Sequence, residues 1–501
     1  MASADSRPLR LLRGSTLAAV ARRVAALARR VPLAVAIVVG GAIVLRVAMS
    51  LLYHPAVMNN PDSLPYVDMA AGELFSDPAR PAGYSIFLRG VHAISTDLDV
   101  TIAVQHLLGL VAALLLYATV RRIGAPLWAA LIGAAAVLLS VDQILLEHTV
   151  VSESLFVTLL AGALYASVRA LDDPRALVRR LTTRQGWIVL AGATLGLATW
   201  VRGIGMPAIA FLALWFALAL PGRWWVRVGR GALAGGSGAA VLILYFALHA
   251  SADGHFGLTE ANGWALYGRV GQFADCDEFD PPEGTGSLCE ETATSTRPGP
   301  DFYTWHPDSP AQQLFGYPAA EDDKLGAFAR EAILNQPLSY GFAVFNDTVE
   351  FFAPGFHDER PFAGSRYEWY DVQRRDPEVE QQVQSAIGAY YPGESLTVNG
   401  GVSRLSDVQQ ILRVHPILML QAVVLAGFGI WFARGRVLAG LVLLLGAGLL
   451  LLVVSAAVVG YNARYAIPAG GPLIAAGAVG LWVLLRSMLE RRDEARARSR
   501  A

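Results

Sequence analysis

Stretches of about twenty apolar residues recur along the chain, and short segments rich in charge separate them. An α-helix rises about 1.5 Å per residue, so twenty residues cross the roughly 30 Å hydrocarbon core of a bilayer. The predicted fold class is therefore mainly α, a polytopic membrane protein with about ten transmembrane helices. They are predicted at residues 31–52, 100–120, 125–146, 150–168, 186–201, 203–220, 232–250, 416–433, 437–459 and 466–486.

The charged segments alternate along the chain between arginine-rich and acid-rich, which predicts the orientation of the helices. Arginine-rich segments follow every second hydrophobic stretch, and they include the N-terminal segment of residues 1–30 and the tail of residues 487–501. Because basic loops stay in the cytoplasm, both termini are predicted to be cytoplasmic. The first hydrophobic stretch contains Arg46 and lacks a clear small-residue cleavage site, so we expect a retained helix rather than a signal peptide.

Two acidic segments, residues 53–99 and 251–415, fall on the opposite, extracytoplasmic side. The second contains 26 Asp and Glu against 10 Arg and Lys. It separates a predicted seven-helix module (31–250) from a three-helix module (416–486). Cys276 and Cys289 both lie in it, and in an exported segment a disulfide between them is expected. Two free thiols are the alternative.

Composition excludes several classes of protein. The chain is 54% hydrophobic and 16% charged, too apolar for a soluble globule. Its arginines are spread over many short loops, so no nucleic-acid partner is expected. The glycine-rich stretches lie in or beside apolar helices and indicate helix packing rather than a phosphate loop. No cytoplasmic segment is long enough for a nucleotide-binding domain, so any chemistry is expected at the outer face of a bacterial plasma membrane.

Charged residues cluster at the predicted outer ends of the helices, where a buried carboxylate is costly without a partner or a function. Each has a structural alternative: Asp62 as a helix cap, Glu153 as the partner of Arg202, and Arg464 reaching lipid headgroups. Together, carboxylates and guanidinium groups on one membrane face are suited to bind an anionic lipid headgroup and to break one of its bonds. The set comprises Arg46, Asp62, Arg80, Glu147, His148, Glu153, Arg202 and Arg464.

The ordered motifs "PDSLPY", "RPAGY", "SESLF", "WVRG" and "ARYAIP" resemble the GT-C superfamily of polyprenyl-phosphate-dependent glycosyltransferases. The nearest branch is the protein O-mannosyltransferase and aminoarabinose-transferase-like group. The outer segments "LYGRVGQFADC" and "FYTWHPDSPA" are similar to actinobacterial members. The resemblance covers residues 31–250 and 416–486.

The resemblance implies roles for individual residues. Asp62 matches the general base of the first outer loop, although Ser63 stands where many relatives have a second acid. Glu153 matches an acidic position that holds a metal or orients the acceptor. Arg202 and Arg464 match basic positions that, with Arg80, are expected to bind the donor phosphate. Candidates to line the site are Tyr66, His148 and Tyr465.

The expected reaction is sugar transfer, with inversion, from a polyprenyl phosphate to an extracytoplasmic hydroxyl of a glycan, protein or lipid. A base activates the hydroxyl, and guanidinium groups stabilise the leaving phosphate. No cofactor follows from the sequence, and a divalent cation stays open. One alternative is a transporter or flippase of a lipid-linked sugar, which would place ionisable residues near the bilayer midplane. A noncatalytic assembly protein, in which Asp62 and Glu153 are dispensable, is another.

Overall fold

The computed structural model of the protein describes residues 32–58, 60–172, 176–178, 181–353, 360–362, 377–398 and 402–499. The predicted cytoplasmic segment 1–30 lies outside these ranges. The helices up to the end of the seventh predicted span are α1 (Leu33–Leu52), α2 (Ser63–Ala71), α3 (Gly83–His92), α4 (Leu98–Ile123), α5 (Leu127–Leu138), α6 (Val141–His148), α7 (Glu153–Arg169), α8 (Thr183–Val201), α9 (Gly205–Ala219) and α10 (Trp224–Ala252).

The rest of the described chain is also helical. It contains α11 (Asn262–Gly271), α12 (Pro300–Trp305), α13 (Pro310–Phe315), α14 (Asp322–Asn335), α15 (Pro337–Glu350), α16 (Pro377–Tyr390), α17 (Val402–Ile411), α18 (Pro416–Phe432), α19 (Gly435–Val458) and α20 (Ala463–Arg498). Short 3₁₀ turns occupy Cys276–Glu278, Gly286–Leu288 and Thr294–Thr296. Two antiparallel strand pairs join β1 (Tyr53–His54) to β4 (Thr397–Val398) and β2 (Ala176–Val178) to β3 (Leu181–Thr182).

The fold class predicted from the sequence, mainly α and polytopic, is confirmed. Every predicted span corresponds to a helix or a helix pair, and six helical stretches among the described residues are long and apolar enough to cross a membrane. These six are Leu33–Leu52, Leu98–Ile123, Trp224–Ala252, Asp407–Phe432, Gly435–Val458 and Ala463–Arg498. The total of ten crossings and the domain boundaries stay predictions.

The prediction of one helix over residues 125–146 was wrong in form. Two helices, α5 and α6, meet at a bend of 46°. Arg46 of α1 lies at this break, and its Nη1 donates to the carbonyl of Leu138 at 2.9 Å. Its Nη2 donates to Glu147 of α6 at 2.8 Å. In a continuous helix the carbonyl of Leu138 would accept a hydrogen bond from the backbone of the next turn. Here the guanidinium group of Arg46 donates that hydrogen bond instead, so the bend leaves no carbonyl at the end of α5 without a partner.

Small residues bring the C-terminal helices close together. A Cβ built at Gly480 of α20 would lie 2.3 Å from the carbonyl oxygen of Leu425 in α18. A Cβ at Gly477 would lie 2.5 Å from the Cα of Ala422. Only glycine permits this approach of two backbones, as is common in membrane helix packing. The start of α20, which carries Arg464, is thereby anchored to a rigid helix pair.

The segment of residues 251–415, predicted to be extracytoplasmic and called the outer segment below, contains a hydrophobic core of its own, in which Trp264, Tyr267, Tyr303 and Phe328 are almost fully buried. Cys276 and Cys289 form a disulfide at its edge. Helix α12 extends from this core to the loop before α20, since Pro300 packs against the position of Gly460. The outer segment therefore contacts the face where the charged residues gather.

Candidate active site

Acidic and arginine side chains alternate in one continuous row near the ends of several helices. Asp77 Oδ2 contacts Arg80 Nη1 at 3.0 Å, and Arg80 Nε contacts Asp62 Oδ1 at 2.8 Å. The row continues through Arg464, which bridges Asp62 and Glu153, and it ends at Arg202. In this second half Asp62 Oδ2 lies 2.6 Å from Arg464 Nη1, and Glu153 Oε1 lies 3.2 Å from Arg464 Nε and 2.6 Å from Arg202 Nη1.

Five separate parts of the chain supply this row, and each positions its side chain differently. Asp62 immediately precedes α2, where its side chain makes no capping bond, so the carboxylate is free to meet the arginines. Arg80 lies in the loop before α3, and Asp77 accepts from the backbone N–H of Arg80 at 2.8 Å. Glu153 is the first residue of α7, where the helix dipole favours a negative charge. Arg202 ends α8, and Arg464 lies in the first turn of α20.

The carboxylate of Asp62 is held in its ionised form. Burial by itself would raise the pKa of Asp62, but the charges of Arg464 and Arg80 and their hydrogen bonds outweigh it. The pKa of Asp62 therefore lies well below its usual range. In this state both oxygens of Asp62 are engaged by guanidinium groups, and it becomes a stronger base only when one of them is drawn away.

Glu153 is the most buried member of the row, with 1% exposure. Its contacts with Arg202 and Arg464 are close enough for ion pairs, yet their angles are not those of hydrogen bonds. Among the described residues, neither of its oxygens receives a hydrogen bond. A divalent ion at Glu153 would have to displace two guanidinium groups. The carboxylate is better placed to accept a hydrogen bond from a hydroxyl group.

Polar neighbours that the sequence interpretation missed complete the row. Asn60 Oδ1 accepts from Arg464 Nη1 at 3.0 Å and from the backbone N–H of Asp62 at 2.8 Å. Ser152 accepts from Arg202 Nη1 at 3.2 Å and from the hydroxyl of Tyr66 at 3.3 Å. Asp77 both caps its turn and pairs with Arg80. The only sequence signal for these residues was their position beside Asp62, Glu153 and Arg80.

Helix α12 of the outer segment also reaches the row. The guanidinium carbon of Arg80 lies 5.9 Å from the ring centre of Trp305. Burial raises the pKa of Asp301 to about 6, against the opposing charge of Arg464. Trp305 lies in the segment "FYTWHPDSPA" noted above, but the sequence assigned no role to either residue.

The structure sorts the other predicted residues into two groups. Tyr465 lies beside the row, because its ring centre is 5.5 Å from the guanidinium carbon of Arg202. Arg46, Glu147 and His148 do not join it. They form a separate buried network with His106, in which His148 Nε2 bonds to the carbonyl of Tyr53 at 2.8 Å. The expectation that His148 lines the site, and that Arg46 shares the outer cluster, is therefore not met.

Residues 103–249 match the family of dolichyl-phosphate-mannose-protein mannosyltransferases. This match confirms the resemblance to the GT-C superfamily. It covers α4 through most of α10 and so includes Glu153 and Arg202 of the row. It also supports the coarse class of membrane glycosyltransferase. No curated protein matches the chain by sequence.

Several solved structures align with most of the chain at low identity. The Archaeoglobus fulgidus oligosaccharyltransferase in its apo form has 14% identity and a TM-score of 0.46, over 93% of this chain and 51% of that one. ArnT from Cupriavidus metallidurans bound to undecaprenyl phosphate has 15% identity and a TM-score of 0.36, over 90% and 78%. The chain thus spans about half the length of the archaeal protein.

Proposed function

We propose that the protein is a membrane glycosyltransferase that moves a sugar from a polyprenyl phosphate to an acceptor hydroxyl on the outer face, with Asp62 as the general base. The observation that carries the proposal is the row Asp62–Arg464–Glu153–Arg202. In this row two carboxylates contact two guanidinium groups at the ends of apolar helices. The donor named for the matched family and the undecaprenyl phosphate of the ArnT complex are consistent with such a substrate.

The ion pairs of the row provide a way to couple donor binding to activation of the base. A phosphate is a bidentate partner for guanidinium and competes with carboxylates for it. When the donor phosphate binds Arg464 and Arg202, Asp62 loses part of the positive charge that holds its pKa low. Its affinity for a proton rises only once the donor is in place. Donor binding then prepares the base.

The chemical step is a displacement at the anomeric carbon. The acceptor oxygen forms a bond to this carbon while Asp62 takes the hydroxyl proton. The bond from carbon to phosphate oxygen breaks, and its electron pair stays on the lipid phosphate. Arg464 and Arg202 stabilise the charge that develops there. Attack opposite the leaving group inverts the anomeric centre. Glu153 orients the acceptor by accepting a hydrogen bond from a second hydroxyl group of the acceptor.

The apolar surroundings suit a lipid substrate. A cavity beside the start of α20 is lined mostly by apolar side chains, among them Met419, Ala466 and Ile467, together with the charged pair of Asp142 and Arg413. A polyprenyl chain lying among these helices would leave its phosphate at the level of the arginines. The partners proposed for the protein are accordingly the membrane, the lipid-linked sugar and an extracytoplasmic acceptor.

The substitution Asp62→Asn tests the assignment of the base. With purified protein and a panel of polyprenyl-phosphate sugars, we expect donor binding to persist and transfer to fall by about 10² or more. Asp68→Asn is the matched control, because Asp68 lies on α2 but is exposed and outside the row. Transfer by Asp62→Asn at the wild-type rate would overturn the assignment. Movement of the intact lipid-linked sugar without transfer would indicate a flippase.

A further inference from the structure

Three potential metal ligands meet at the outer end of α10, apart from the arginine row. His249 lies in the last turn of this helix, Asp253 follows the helix, and Glu260 lies in the next loop. One ligand atom from each residue falls within 4.8 Å of the others. His249 Nε2 is 2.9 Å from Asp253 Oδ2 and 3.8 Å from Glu260 Oε1.

The histidine is oriented as a metal ligand would be. His249 Nδ1 lies 2.8 Å from the carbonyl oxygen of Gly257, and a carbonyl only accepts, so Nδ1 carries the proton. In the neutral ring Nε2 then presents its lone pair to the two carboxylates. Metal-binding histidines characteristically donate their other N–H to a carbonyl or carboxylate in this way. Phe75 stacks on the ring at 4.7 Å and holds its plane.

The competing explanation is a protonated His249 paired with the two acids. A protonated ring would point its Nε2–H at one of the oxygens. The side chain of His249 is 3% exposed, and its Nε2 has no hydrogen-bond partner among the described residues, although Asp253 lies within 3 Å. The nitrogen and oxygen are close but misaligned. An ion between them, off the line that joins the two atoms, accounts for this arrangement.

We propose that His249, Asp253 and Glu260 bind a divalent transition-metal ion of the Zn²⁺ class. Zinc bonds to nitrogen and oxygen of about 2.0–2.1 Å place neighbouring ligands of a tetrahedron about 3.3 Å apart, and the two distances from His249 bracket this value. An imidazole with two carboxylates favours such an ion over Ca²⁺ or Mg²⁺, which prefer oxygen ligands alone. Three protein ligands leave a fourth position for water.

The ion would fix the loop that carries Arg80. The backbone N–H groups of Glu260 and Ala261 both donate to the carbonyl of Pro78, at 2.8 and 3.0 Å. The backbone N–H of Ala82 donates to the hydroxyl of Tyr245, one turn before His249, at 2.9 Å. A metal that ties the end of α10 to Glu260 therefore also holds residues 75–82. Any effect on sugar transfer rests on the proposed function, whereas metal binding does not.

The test measures zinc in the purified full-length protein after chelation and dialysis into Zn²⁺. We expect one zinc per chain in the wild type and affinity weaker by at least about tenfold in Asp253→Asn and in Glu260→Gln. Both carboxylates are partly exposed, so these variants should fold. Asp308→Asn is the matched control, since Asp308 forms a His–Asp pair with His306 but has no third ligand within the described part of the chain.

Two results would overturn the proposal. One is a zinc content of the wild type no higher than that of the double variant Asp253→Asn/Glu260→Gln. The other is tight binding of Ca²⁺ or Mg²⁺ with none of Zn²⁺. Zinc content and affinity are measured without any sugar substrate. The zinc measurement therefore stays interpretable if glycosyl transfer is not found, and a transfer assay stays interpretable if zinc does not bind.

Discussion

Arg464 is the residue on which the proposed site depends most, since it contacts both Asp62 and Glu153. Its planar guanidinium reaches the two carboxylates through different nitrogens, which the single ammonium group of a lysine cannot do. A substitution here therefore separates two effects. It weakens the hold on a donor phosphate, and it removes a positive charge that keeps the pKa of Asp62 low.

We predict that Arg464→Gln weakens donor binding and moves the acidic limb of the pH profile of kcat/KM to higher pH by about one unit. The sign follows from the lowered pKa of Asp62: the wild-type base stays ionised to low pH, and loss of the neighbouring charge lets it take up a proton sooner. The measurement is the rate of transfer at saturating and limiting donor, over a pH range that extends well below the ordinary pKa of an aspartate, about 4.

Arg330→Lys provides the control for this prediction, because Arg330 is an exposed arginine of the outer segment away from the row. We expect its pH profile and donor affinity to match those of the wild type. An acidic limb that stays in place in Arg464→Gln, together with normal donor affinity, would show that Arg464 neither sets the pKa of Asp62 nor binds the phosphate.

At the scale of elements, the break between α5 and α6 is held by side chains. The side chain of Arg46 is 5% exposed and that of Glu147 is fully buried, and their contact joins α1 to α6. Glu147 Oε2 also contacts His106 of α4 at 3.1 Å. Breaking a buried pair leaves one charge without compensation, whereas removing both charges together costs much less.

We predict that Arg46→Met lowers the free energy of unfolding by about 3–5 kcal/mol, and that the double variant Arg46→Met/Glu147→Gln recovers part of it. The measurement is unfolding of the detergent-solubilised protein. Arg486→Ala is the control, because its pair with Glu490 is exposed and such pairs contribute at most about 0.5 kcal/mol. A double variant that is less stable than Arg46→Met would contradict the role assigned to this pair.

At the scale of the whole molecule, the orientation in the membrane decides whether the row faces an extracytoplasmic acceptor. The arginine-rich loops predict that α2 lies outside and the end of α20 inside. The chain is well suited to a direct test, because its two cysteines are joined in one disulfide. A single introduced cysteine is then the one free thiol of the protein.

We predict that Asp68→Cys reacts with a membrane-impermeant maleimide in intact bacterial cells, whereas Asp493→Cys reacts only after permeabilisation. Both positions are exposed, so burial does not decide the result. Labelling of Asp493→Cys alone in intact cells would reverse the orientation and place the proposed site in the cytoplasm.

Two different features of the sequence predicted the helices and the residues of the row: the length of apolar stretches and the position of charged residues. Helix positions follow from local hydrophobic length, so every predicted span has a helical counterpart. Asp62, Glu153, Arg202 and Arg464 were found because charge at the ends of apolar segments is rare and costly. The pairing of Arg46 with Glu147, rather than with the outer cluster, was not predictable, because both lie near outer helix ends in sequence.

The sequence by itself determined the class of the protein, the arrangement of its helices and the charged residues that gather near one face, because apolar length and charge are local properties. Only the tertiary structure decided which charges meet. Asn60 and Arg464 are 404 residues apart in the chain, yet they share a hydrogen bond. The contact of α12 with Arg80 and the ligand cluster around His249 likewise depend on segments that close packing brings together, and no local pattern records such contacts.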